Sequence, residues 1–314
     1  MKKAIILILV VISLLTMAQE CDTGNSGGDR DKINPYVGGQ AGLSIQFGDG
    51  APPDEVFDRG QYPFDIDVKL LNVGESDIRR ENVKVTITGL NPNDFNKPES
   101  FFIKSGIDED ILATYKDFEG NVIKPSETFV TFSGLNFADT LSGNFQTLVR
   151  ADVCYTYKTE AVTDGCIRKD VLSSSTNAVC QVSGVKTIYN SGAPIQVDKF
   201  EELPSGTDKI RYLFTIKHVG SGNVFSPGSR CPVDRTAQNK IHFKIESSVT
   251  DLLCSGLVEG TAKEGYVILR DGEQTIRCVQ QTTSQLDFLD RIKITLDYDY
   301  GESIDKNLLI KKSS

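Results

Sequence analysis

Two stretches of this chain carry one pattern, and that repetition limits the fold more than any other feature. From Tyr62 to Ile78, Phe64, Ile66, Val68 and Leu70 alternate with Asp65, Asp67 and Lys69, the period-2 signature of a half-buried strand. The run stops at Asn72-Val73-Gly74, where Asn and Gly tolerate a positive φ. Val83, Val85 and Ile87 then alternate with Lys84, Thr86 and Thr88 as a second strand. From Ile210 to Val224 the pattern returns. Ile210, Tyr212, Phe214 and Ile216 take the four apolar places, His218-Val219-Gly220 falls on Asn72-Val73-Gly74, and Val224 matches Ile78. Ala193-Pro194 stands before the second copy as Ala51-Pro52 stands before the first. One β-unit occurring twice predicts two similar β-domains in tandem.

The rest of the composition agrees. With 27 Gly, 11 Pro and 2 Met in 314 residues, the chain suits many short strands and turns rather than helices. A formal net charge of −9 argues against nucleic acid as a partner, since that needs a basic face. Lys2 and Lys3 precede an apolar run from Ala4 to Met17, the two regions of a secretory signal, and the run is short for a membrane span. Residues 1–18 therefore read as signal peptide or membrane anchor. Thr16-Met17-Ala18 offers cleavage before Gln19, and Cys21 offers lipid attachment instead. Residues 19–40, rich in Gly, Ser, Asn and Asp, read as a flexible linker that includes Gly38-Gly39.

Six further cysteines, Cys154, Cys166, Cys180, Cys231, Cys254 and Cys278, form an even set in an exported chain, which reads as three disulfides. Cys-x-x-Cys pairs for zinc are absent. Residues 148–157 and 166–172 look like a hairpin with 161–165 in its loop, so Cys154–Cys166 is expected across it. Cys254–Cys278 is expected around the Asp271-Gly272 turn. Cys180 is left for Cys231, or alternatively reaches back to Cys154. Residues 108–118 read as a short helix.

About seven short strands per half, with a polar spacer at 173–178, place one β-sandwich at 41–175 and another at 180–312. The fold class is all-β: two tandem immunoglobulin-like sandwiches after an N-terminal signal or anchor. The strand ending in Asn72-x-Gly74 and followed by Val83–Ile87 resembles the prokaryotic cell-adhesion-related (CARDB-type) sandwich. The wider pattern is similar to that of archaeal cell-surface proteins, many of them lipoproteins. It comprises Ala51-Pro52-Pro53-Asp54-Glu55-Val56, Cys154-Tyr155-x-Tyr157…Cys166, Ser191-Gly192-Ala193-Pro194 and Leu296-Asp297-Tyr298-x-Tyr300. The resemblance implies an archaeal cell and a place on the extracellular face of its membrane.

With only two histidines, a metal or general-base centre would have to be built mostly from carboxylates or cysteines; His218, at a strand end, reads as structural and His242 as exposed, and no nucleophile or phosphate-loop motif occurs. Asp297 and Asp299 share one strand face and are weak calcium candidates, though a solvated acidic turn explains them as well. No cofactor is implied and no enzyme is expected. The expectation is an exported, membrane-tethered surface protein with a structural or adhesive role, its partner a surface protein or glycan, or a secreted protein if the signal is cleaved. The alternative is a solute- or glycan-binding lipoprotein using Tyr155, Tyr157, Tyr298 and Tyr300 as a groove, although alternating tyrosines more often pack at a core edge.

Overall fold

The computed structural model describes residues 34–173, 178–232 and 235–313. The signal or anchor segment, Cys21 and most of the linker lie outside the described residues. The first half contains β1 (Leu43–Phe47), β2 (Glu55–Phe57), β3 (Phe64–Asn72), β4 (Val83–Thr88), β5 (Ile103–Ser105), β6 (Tyr115–Lys116), β7 (Val122–Ile123), β8 (Glu127–Leu135) and β9 (Phe145–Ile167). The second contains β10 (Gly184–Lys186), β11 (Ile188–Asn190), β12 (Ile195–Pro204), β13 (Lys209–His218), β14 (Asn223–Phe225), β15 (Lys240–Glu246), β16 (Leu252–Ser255), β17 (Glu264–Ile268), β18 (Glu273–Gln281) and β19 (Phe288–Lys311). The protein is all-β and sandwich-like in its layering, as composition implied.

The repeated unit forms as read. Along β3, Phe64, Ile66, Val68 and Leu70 are buried while Asp65 and Lys69 face outward, and along β13 Ile210, Tyr212, Phe214 and Ile216 are buried in the same rhythm. Each core strand is flanked alike. In the first half β3 lies between β1 and β8; in the second β13 lies between β12 and β18, with β10 and β16 added at the edges. Leu43 pairs with Asn72 as Ile195 pairs with His218, so the equivalence of Asn72 and His218 holds strand for strand.

The two halves do not form tandem bodies. The expected hairpin at 148–172 is one continuous strand, β9, of 23 residues, and it pairs antiparallel with the 24-residue β19 from Ile167–Phe288 to Phe145–Ile310. At roughly 3.3 Å per residue, these strands run about 75 Å through both halves. The N-terminal part of β9 pairs with β4, and the N-terminal part of β19 pairs with β15. Equivalent strands thus meet about a point at Thr156–Asp299, which relates the halves by an approximate twofold. Residues 35–314 form a single compact unit. The expected spacer is bounded on both sides by a disulfide, Cys166–Cys180, and residues 174–177 lie outside the described residues.

Three local expectations also change. Residues 108–118 form no helix, because Ile111 pairs with Ile78 in both directions and Thr114 N–H donates to the Gly74 carbonyl. Gly38 and Gly39, read as linker, are held in the fold: the N–H groups of Val37 and Gly38 donate to the Glu75 carboxylate, 2.8 Å each. The structural counterpart of Pro194 is Gly42 rather than Pro52. Gly42 O accepts from Val73 and Gly74, and Pro194 O accepts from Val219 and Gly220.

Candidate functional site

At the twofold point, alternation puts Tyr155, Tyr157, Tyr298 and Tyr300 on the inner face of the long strand pair, all fully buried. Their rings meet edge-on or tilted, with centroids 5.7–6.3 Å apart. Buried hydroxyls need partners, and each finds one. Tyr155 donates to Glu302 Oε2 (2.9 Å) and accepts from Leu43 N–H (3.1 Å). Tyr157 accepts from Ser76 N–H (3.2 Å), with the Asn72 side chain at 3.5 Å. In the second half Tyr300 accepts from Gly222 N–H (2.7 Å), with His218 Nε2 at 2.9 Å. Tyr298 shares a hydrogen bond with Thr159. Burial pushes all four hydroxyls above the ordinary tyrosine range, so they stay protonated. They are a packed waist and cannot line an open groove, which removes the residues named for that reading.

The waist explains the end of the repeated motif. Gly74 and Gly220 are not at positive φ. They are glycines because a Cβ at Gly74 would overlap the Tyr157 hydroxyl, and one at Gly220 the Tyr300 hydroxyl. His218 does in one half what Asn72 does in the other. Burial lowers its pKa, and the neutral ring can accept the Tyr300 proton.

On the outer face of the same strands, the loop after β14 folds across the centre. Asp299, fully buried, accepts from Gly228 N–H, Arg230 N–H, Ser229 Oγ and Thr156 Oγ1. Its oxygens are thereby spent on protein donors. Asp297 instead lies 3.6 Å from His242 Nδ1, and His242 Nε2 is 3.3 Å from Glu264. Among the described residues, no group of three or more His, Cys, Asp or Glu is placed to hold a metal ion.

A disulfide, Cys154–Cys231 (Cα–Cα 5.9 Å), staples this loop to β9. The expected Cys154–Cys166 bridge is excluded by geometry. Twelve residues of one extended strand separate the two by about 40 Å, far beyond disulfide reach. Cys166 joins Cys180 instead, and only Cys254–Cys278, across β16 and β18, forms as expected. The Asp271-Gly272 turn between that pair forms, with Arg270 and Glu273 exchanging both backbone hydrogen bonds, but the strands beyond it part, β17 to β15 and β18 to β13. Beside the stapled loop lies an open cleft of about 440 Å³, lined by Lys84, Thr86, Asp152, Arg230, Gln238 and Ser303 among others. Its mixed charges and amides suit a polar solute by hydrogen bonding, and the one aromatic side chain among its lining residues, Phe225, is itself buried.

A second buried polar site lies beside Cys166–Cys180. The Glu202 carboxyl, fully buried, accepts from Cys166 N–H (2.9 Å) and faces Lys186 Nζ at 3.0 Å. Burial raises it to about 7, and Lys186 offsets this only in part. Sequence reading missed Glu202, Glu75 and Arg230. For Glu202 one signal exists: it falls in an inward place on a strand whose neighbours are apolar.

No protein-family model matches the chain, and no curated protein matches it. Among solved structures it is similar to envelope protein VP37 from White Spot Syndrome Virus, at 10% identity and a TM-score of 0.25 over 46% of this chain and 97% of that one. Three disulfides in an all-β fold fit an oxidising, extracellular compartment.

Proposed function

We propose that this chain is a non-enzymatic exported protein, tethered to the cell membrane by its N-terminal segment, with a structural or adhesive role at the cell surface. The observation that carries the reading is the pair of strands, β9 and β19, that runs unbroken through both halves. A hinge between the halves would have to break both strands at the tyrosine waist, so the body acts as one stiff element. The Cys154–Cys231 cross-link lies beside that waist, and Cys166–Cys180 closes the connection after the far end of β9. Such a body suits a spacer or an adhesive arm better than a binding protein that closes on its ligand. The resemblance to CARDB-type archaeal surface proteins supports the same role. Cys21 is the proposed lipid site.

The test has two arms. Detergent partitioning of the wild type and Cys21→Ser should move the variant into the aqueous phase; identical partitioning rules out lipid at Cys21. A pull-down of cell-envelope material with the full chain should retain protein or glycan, and no retention above a denatured control overturns the adhesive role. The cleft beside Arg230 favours a second reading, capture of a polar solute or glycan. Saturable binding of a small glycan, lost in Arg230→Ala, would establish it.

A further inference from the structure

Between Ile111 and Ser126 the chain leaves the body as the β6–β7 hairpin. Its base is fixed: Thr114 N–H donates to Gly74 O, Thr114 Oγ1 to Ile123 O, and Ser126 N–H to Leu112 O. Its tip is fixed too. Asp117 accepts from the N–H groups of Glu119 and Asn121, both at 2.9 Å, and Gly120 takes φ 88°. This hairpin exposes Leu112, Tyr115, Val122 and Ile123, and Phe118 at the tip is 98% exposed. Single exposed apolar residues are ordinary; a rigid projection carrying five of them signals an interaction site.

The surroundings favour one occupant. Lys116 Nζ on the hairpin donates to Tyr36 O at 2.6 Å, and Val37 beside it is also partly exposed. The chain therefore enters the fold against the base of the hairpin. Upstream stands Cys21, the proposed lipid site, separated from Tyr36 by residues 22–35. A random coil of about 14 residues has a root-mean-square span of about 20 Å. With lipid at Cys21 held in a bilayer, the apolar hairpin is at the tether's root and is kept near the lipid surface at high effective concentration. Lys116 and Lys124 balance Asp117 and Glu119, so contact there is driven by apolar burial rather than by charge.

We propose that the 112–123 hairpin is a bilayer-contacting finger, laying Phe118 and its neighbours into the interface of the membrane that holds the N-terminus. This rests on the membrane-tethered reading above. The finger would hold the body by a second, weaker contact and fix which side faces the lipid.

The chain contains no Trp, so Phe118→Trp gives a single indole reporter at an exposed site. The full chain carrying it is reconstituted with phosphatidylcholine vesicles, beside a Leu253→Trp control on exposed β16. Expected for the finger reporter are a blue shift and loss of emission with acyl-brominated lipid, unchanged by salt, while the β16 reporter stays quenchable by aqueous acrylamide. Vesicle-bound protein whose finger reporter is as open to acrylamide as the β16 control overturns the finger and leaves the tether intact. A finger reporter shielded from both quenchers overturns it in favour of a protein contact. Protein that fails to bind vesicles at all overturns the tether and the finger together.

Discussion

Glu202 makes a quantitative prediction about pH. Its carboxyl is buried beside Cys166–Cys180 and raised from 4.5 to about 7, with burial as the main cause. Between those values the unfolded chain has lost the proton while the folded chain keeps it. The folded state then binds more protons, so stability falls as pH rises through this window. At 1.36 kcal/mol per pH unit the loss is on the order of 3 kcal/mol, complete near pH 7.5. His218 acts with the opposite sign. Its folded pKa is depressed, so it costs stability as pH falls. Comparison with Glu202→Gln separates the two. Glutamine keeps an acceptor for Cys166 N–H and cannot titrate, while Lys186 retains the carbonyls of Gln181 and Ser183 as partners. Urea unfolding of both proteins from pH 4.5 to 8 should show wild-type stability falling by about 3 kcal/mol relative to the variant. Parallel curves would refute the assignment and show that the buried carboxyl is ionised throughout.

Other outcomes follow from the waist, the cores and the loop. Gly74→Ala and Gly220→Ala should each destabilise by roughly 1–3 kcal/mol through overpacking, whereas Gly143→Ala, with open space around it, should melt like the wild type. Ile66→Ala and Phe214→Ala, at fully buried sites in the two core strands, should each cost about 2–5 kcal/mol in thermal or chemical unfolding. A shift no larger than that of Lys69→Ala would count against the repeat register. Peptide mapping without reduction should recover Cys154–Cys231, Cys166–Cys180 and Cys254–Cys278, and a Cys154–Cys166 peptide would contradict a continuous β9.

What the sequence made legible was local. The four alternating apolar residues of β3 and β13, and the match of Asn72 with His218, survive because period and spacing are local properties. The glycine ending each motif was found for the wrong reason. Nothing near Gly74 in sequence announces that a tyrosine 83 residues later arrives at its α-carbon. The second half of β9 was unreadable for a related reason. Thr159, Thr163, Asp164 and Gly165 look like loop residues, yet Thr159 and Thr163 are buried with their hydroxyls donating to Ile195 O and Thr187 O. Once that strand was split into a hairpin, the cysteine pairing had to go wrong. The Asp299 contacts were equally hidden, since a carboxylate that caps loop amides has the same sequence as one that binds an ion.

The long strand pair also constrains how the chain is made. When residue 167 is complete, β9 exists, but the partner that spans its whole length is β19, which ends at Lys311. Until then much of a 23-residue edge carries open backbone donors and acceptors, a template for pairing with other chains. The N-terminal half therefore cannot finish folding ahead of the C-terminal half, as tandem domains usually do during synthesis. Contacts of such sequence separation form slowly. A chain built this way gains from being kept unfolded until its last strand is available, a requirement that passage through a membrane channel in extended form would meet.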